Sequence, residues 1–177
     1  MRTLKSLLSV TALAFVGLVF SATAAQAQLT SGNAIVTVTV ADVLALQVAN
    51  PAVALSLGSV TDLANGSTFT ATAQLVANSN RAFDIKVKSD GNLVGTLTAA
   101  GSSIPIANLR VQASPTLANT FTTALTMSSS DQLLITNATA GLAKAYDVKY
   151  SMVAGSSDYN VPTGAYIATL TYSISAH

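Results

Sequence analysis

Two stretches of this chain set apolar against polar side chains with a period of two. Arg81 to Lys88 places Phe83, Ile85 and Val87 on one face and Asp84, Lys86 and Lys88 on the other. Ala145 to Val153 places Tyr146, Val148, Tyr150 and Met152 opposite Asp147, Lys149 and Ser151. A period of two predicts strands with one buried and one wet face. Asp84 and Lys86 share a face and are expected to pair. Tyr166, Ala168, Leu170, Tyr172 and Ile174 alternate in the same way after the turn at Pro162 and Gly164, so Tyr166 to Ser175 reads as one strand. Ala34 to Val40 (AIVTVTV) reads as another, from its β-branched content and alternation.

Weaker strand patterns fill the remainder. They cover Val53–Leu57, Thr68–Val76, Leu93–Ala99, Ile104–Val111, Thr120–Met127 and Gln132–Thr136. Turn chemistry separates them at Asn50-Pro51, Asn65-Gly66, Asn78-Ser79-Asn80, Asp90-Gly91-Asn92 and Ser128–Asp131. No amphipathic helix is predicted after residue 27; at most Leu142–Lys144 makes one helical turn. About 8–10 short strands with turns between them predict an all-β fold, an antiparallel Ig-like or pilin-like β-sandwich.

The N-terminus has a different pattern. Arg2 and Lys5 precede a largely apolar run from Leu7 to Phe20, and Ala25-Gln26-Ala27 forms an A-x-A cleavage site. This is the pattern of a secretory signal peptide over residues 1–27. The apolar run is shorter than the roughly 20 residues of a membrane span, so no transmembrane span is expected in the mature chain. Residues 28–177 then form a single domain. Removing Arg2 and Lys5 from the 8 Lys+Arg leaves 6 against 7 acids, all of them Asp. Without clustered Lys and Arg, nucleic-acid binding is not expected.

Candidate chemistry is sparse. The chain has no Cys, which excludes disulfides, thiolate zinc and a Cys nucleophile. Its one His is the last residue, His177, a poor place for a triad. The acids Asp42, Asp62, Asp84, Asp90, Asp131, Asp147 and Asp158 form no recognisable glycosidase pair. Asp90-Gly91-Asn92 and Ser128–Asp131 hold oxygen donors of the kind calcium takes, but without D-x-D-x-D spacing. Asn65-Gly66-Ser67 and Asn137-Ala138-Thr139 match the short glycosylation pattern. No catalytic residue, cofactor or metal site is assigned, and an enzyme is not expected. Tyr159, beside a loop, is the candidate exposed aromatic contact for a sugar.

Tyr146-Asp147-Val148-Lys149-Tyr150, Pro162-Thr163-Gly164-Ala165-Tyr166 and the Thr/Tyr-rich end of the chain resemble small bacterial secreted β-sandwich proteins, namely WxL-like, spore-coat-U-like and fimbrial-subunit-like surface domains. Phe83-Asp84-Ile85-Lys86-Val87 and Ile104-Pro105-Ile106 repeat that pattern. The chain lacks both the Trp of the first family and the Cys of chaperone–usher pilins, so no site residue transfers.

The resemblance implies a non-enzymatic structural or adhesive protein, exported to the cell surface, the periplasm or outer membrane, or the medium. Its expected partners are further copies or other surface subunits, joined by β-strand addition. Ala34, Val36, Val38 and Val40 are the candidate strand-exchange residues; the same stretch would equally serve as a strand of its own sheet. The alternative function is a module that binds cell-wall polymer or glycan.

Overall fold

The computed structural model describes residues 36–177. Among them are eleven strands: β1 Leu44–Val48, β2 Thr68–Ser79, β3 Phe83–Ser89, β4 Leu93–Gly95, β5 Ser103–Ile104, β6 Leu109–Pro115, β7 Leu125–Thr126, β8 Gln132–Ala138, β9 Gly141–Met152, β10 Tyr166–Ile167 and β11 Leu170–Ala176. One short helix, α1 Val60–Asn65, and three single 3-10 turns complete the regular structure. The fold is mostly β, with little helix and antiparallel sheets that include a curled half-barrel. A five-stranded sheet runs β1-β2-β9-β6-β7; two three-stranded sheets run β11-β3-β8 and β10-β4-β5. Signal-peptide residues 1–27 and Ala34 lie outside the described residues.

The two-faced strands fold as their pattern predicts. Phe83, Ile85 and Val87 on β3 are fully buried, and Tyr146, Val148, Tyr150 and Met152 on β9 are buried as well. β3 and β9 are interior strands of their sheets. Their apolar faces join Leu75 and Ala77 of β2, Val111 and Ala113 of β6, and Leu134 and Ile135 of β8 in one cluster. Phe83 meets Tyr146 edge to face at 6.5 Å between ring centroids, which carries that cluster from one sheet to the other. Tyr150 and Tyr172 add a hydroxyl–hydroxyl bond of 2.8 Å between β9 and β11.

Three residues in these sheets have left-handed backbone: Ala73 (φ 49°), Asn137 (φ 51°) and Ala143 (φ 51°). Each lies at a shift in strand register. The amide of a residue displaced from a ladder needs another acceptor. Asp147 Oδ1 accepts from Ala73 N at 2.8 Å, Asp84 Oδ1 from Asn137 N at 2.7 Å and Asn78 Oδ1 from Ala143 N at 2.8 Å. In every case the acceptor is on the paired strand. Asp147 also accepts from Thr116 Oγ1 at 2.8 Å. The expected Asp84–Lys86 pair is replaced by this arrangement. Asp84 holds Asn137 and approaches His177, and Lys88 rather than Lys86 forms an ion pair, with Asp131 at 3.4 Å.

Several expectations are corrected. Val36 to Val40, the described part of the Ala34–Val40 stretch, forms no strand, and neither does the chain up to Val43. Val53–Leu57 is not a strand either: Val53, Leu55 and Leu57 pack against the core as alternation predicts, but their backbone joins no ladder. Thr120–Met127 keeps only β7; at Thr122 the backbone N donates to Ala113 O, while Ala113 N donates to the Thr122 hydroxyl and Thr122 O accepts from the Gln112 side chain. Leu93–Ala99 keeps β4 and then turns. Leu142–Lys144 is not a helical turn but part of β9, bulged at Ala143.

A helix does occur at Val60–Asn65, where the sequence pattern predicts none. Ser59 Oγ accepts from Asp62 N and Asp62 Oδ2 from Ser59 N, both at 3.0 Å, a capping box that starts α1. Gly66 ends it at φ 75°, where a side chain would strike the carbonyl of Met152. The single strand expected over Tyr166–Ser175 is two. β10 pairs with β4 and β11 with β3, and Asp90 holds the break between them: Thr169 N donates to Asp90 Oδ1 at 2.9 Å and Asp90 N to Thr169 O at 3.0 Å.

Asp147→Ala, which leaves the Ala73 amide and the Thr116 hydroxyl without their acceptor, is expected to cost about 1–3 kcal/mol in urea unfolding. Asp147→Asn keeps Oδ1 and is expected to cost less. Tyr150→Phe and Tyr172→Phe each strand the partner hydroxyl, so the double variant is expected to lose less than the two single losses together in the same assay.

Candidate functional site

The candidate strand-exchange segment begins directly before an anchored piece of backbone. Asn80 Nδ2 donates to Ala41 O at 2.8 Å, Asn80 Oδ1 accepts from Val43 N at 3.0 Å, and Asn80 N donates to Val43 O at 3.3 Å. Arg81 adds an ion pair with Asp42 at 3.0 Å. It is exposed and contributes about 0–1 kcal/mol. Ahead of this anchor Val36, Val38 and Val40 are 82%, 78% and 77% exposed. Three β-branched apolar side chains at alternate positions thus stand in water without a strand partner.

Tyr159 is placed differently from the expectation of an exposed ring. It is half-buried, packs against the core cluster and donates its hydroxyl to Val153 O at 2.6 Å. Burial, with Asp158 beside it, pushes this phenol above its ordinary value. One edge of the ring borders a shallow depression of about 430 Å³ with Val60, Leu63, Ser157 and Asn160. Among the described residues the most exposed aromatic is instead Phe69, at 40%.

A second cleft, of about 400 Å³, opens between β6 and β8. Its lining includes Ala113, Ile135, Ala138 and Tyr146, with Thr136 and Lys144 among the polar members. Most of its lining comes from residues 135–146 of the consecutive strands β8 and β9, and β6 supplies Ala113, Ser114 and Pro115. Phe83-Asp84-Ile85-Lys86 and Tyr146-Asp147-Val148-Lys149 are alike in sequence, and their aspartates each accept from a bulged amide on the neighbouring strand.

Every carboxylate has a structural partner. Asp42 pairs with Arg81 and Asp131 with Lys88. Asp62 caps α1, Asp84, Asp90 and Asp147 take backbone amides, and Asp158 accepts from Asn108 Nδ2 at 2.7 Å. Of the two loops with calcium-like donors, the first turns Asp90 and Asn92 to the amides of Thr169 and Ile106, and the second pairs Asp131 with Lys88. Among the described residues no three His, Cys, Asp or Glu side chains gather as metal ligands. Nor is any helix among them long and apolar enough to cross a membrane. His177 is held by its own amide on Ala82 O at 2.8 Å, with its ring 3.3 Å from Asp84.

The amides of Asn137 and Thr169 hold the carboxyls of Asp84 and Asp90 below the ordinary carboxylate value. No family model matches this chain, and no curated protein matches it.

A carboxylate whose value is depressed by folding favours the native state above its unfolded pKa and loses that contribution as pH falls through the native one. The urea midpoint is therefore expected to drop as pH is lowered below about 4. Asp84→Asn and Asp90→Asn keep an oxygen acceptor but cannot titrate, so each is expected to flatten that drop.

Proposed function

We propose that this chain is a non-enzymatic structural or adhesive subunit, exported to the bacterial surface, that assembles by β-strand addition. The observation that carries the reading is the segment Val36-Thr37-Val38-Thr39-Val40. Its alternation is that of a strand, its valines are about four-fifths exposed, and its backbone joins no strand. A strand-forming segment left without a sheet is a template for another chain's edge. The anchor at Ala41–Val43 supports the reading as well, since it fixes the base of the segment while the valines ahead of it stay exposed.

The signal-peptide pattern of residues 1–27 supports export, and the likeness to secreted surface domains supports a structural role. On this reading the opposed sheets are the layers of a pilin-like sandwich. The engagement of all seven carboxylates in caps, bulges and ion pairs supports a role that does not depend on acid–base chemistry.

The test is the size of the chain after export, by light scattering and negative-stain microscopy. Oligomers or fibres are expected from the wild type, and monomers from a Val36→Asp, Val38→Asp, Val40→Asp variant, because a charge at each apolar position opposes burial against a partner. A monomeric wild type overturns the proposal.

A further inference from the structure

We infer that the depression between α1 and the loop of residues 155–160 is a binding site for a neutral saccharide; the inference does not rest on the strand-addition reading. Three apolar side chains of α1, Val60, Leu63 and Ala64, recur at helical spacing and so share one face. That face does not serve the core. None of the α1 residues is buried, and neither Val60 nor Leu63 packs against the core cluster. With Tyr159 they line the depression of about 430 Å³ instead. Its walls are fixed from within. Gly155 N donates to Leu63 O at 2.8 Å, the Tyr159 hydroxyl to Val153 O at 2.6 Å, and Asp158 N to Ser156 Oγ at 3.2 Å. Gly155 (φ 62°) has open space where a side chain would stand, which leaves its backbone accessible from the depression. A site built this way needs little ordering when a ligand enters.

The lining selects the class of ligand. It has no charged side chain, so it has no counter-charge for a phosphate, a carboxylate or an amine. A sugar ring has an apolar C–H face and a rim of hydroxyls that both donate and accept. Val60, Leu63 and the edge of the Tyr159 ring suit the face. The Ser157 hydroxyl and the Asn160 side-chain amide suit the rim, and neither is engaged in an intramolecular hydrogen bond among the described residues. A primary amide holds donor and acceptor side by side, the arrangement that two neighbouring sugar hydroxyls take. The Tyr159 hydroxyl is already committed to Val153 O, so the ring acts through its apolar edge. The volume lies at the small end of the roughly 300–1,000 Å³ of ligand pockets, and the shallow shape suits a short stretch of chain bound weakly.

The test is ligand-observed saturation-transfer NMR on the exported chain, with cellotriose, mannotriose and chitotriose as probes. Transfer to the ring C–H protons of at least one of them is expected, with a Kd of about 1 mM. Asn160→Ala and Val60→Ser both change exposed side chains, so the core is undisturbed. Each is expected to weaken binding about five- to ten-fold, the loss of a hydrogen bond in one and of an apolar contact in the other. Transfer to none of the three probes, or transfer that either variant leaves unchanged, overturns the inference. A neutral Ser-Gly-Val peptide that takes up as much saturation, and loses as much in both variants, overturns the saccharide as occupant. The Val36→Asp, Val38→Asp, Val40→Asp chain is expected to bind the sugar as the wild type does. A wild type that assembles without binding therefore overturns this site alone, and a monomeric wild type that binds overturns strand addition alone.

Discussion

A backbone amide that leaves a β-ladder must find another acceptor, and three times in this chain a side chain on the neighbouring strand provides it. Asp147 serves Ala73, Asp84 serves Asn137 and Asn78 serves Ala143. Each served residue is in the left-handed region, where a side chain is strained by about 1–2 kcal/mol. The cross-strand bond offsets that strain and fixes which residue bulges. Bulges bend a strand and increase its twist, and here they lie on β2 and β9 of the five-stranded sheet and on β8 of the β11-β3-β8 sheet. The register shifts of β2, β8 and β9 are held by these short polar contacts, which by bending and twisting those strands favour the curl of the half-barrel.

The same contacts mark how much of the fold was legible. The inward faces of β3 and β9 could be read directly, because alternation reports which side of a strand meets the core. Alternation does not report the backbone's partner. Val53, Leu55 and Leu57 bury their side chains outside any ladder, and Val36, Val38 and Val40 bury nothing, although both stretches alternate as strongly as β3. The bulges were illegible for a related reason. Ala73 and Ala143 have no local mark of left-handed backbone, and the residue that makes it tolerable lies across the sheet, far along the chain. The helix α1 was missed because it is too short for a period of 3.6 to register, although Ser59 and Asp62 have the spacing of a capping box. Of the candidate site, the valine segment was legible; the cleft was not, since it arises where β6 faces the consecutive strands β8 and β9.

The division of labour among polar residues bears on function. A chain with only seven acids, all engaged in caps, bulges and ion pairs, has its charge committed to shape. What remains open is backbone and apolar surface, the outer edge of β8 and the exposed valines Val36, Val38 and Val40 among it. Both are features that a second polypeptide, rather than a small polar molecule, would complete.

The hydroxyl contact between Tyr150 and Tyr172 has a spectroscopic consequence. The chain has no tryptophan, so its near-ultraviolet signal comes from tyrosine and phenylalanine. Burial pushes both of these phenols above their ordinary value, Tyr172 most of all. Their ionisation in alkali therefore accompanies loss of the contact between β9 and β11, and the part of the late phenolate absorbance that Tyr150→Phe and Tyr172→Phe remove gauges whether those two sheets are still joined.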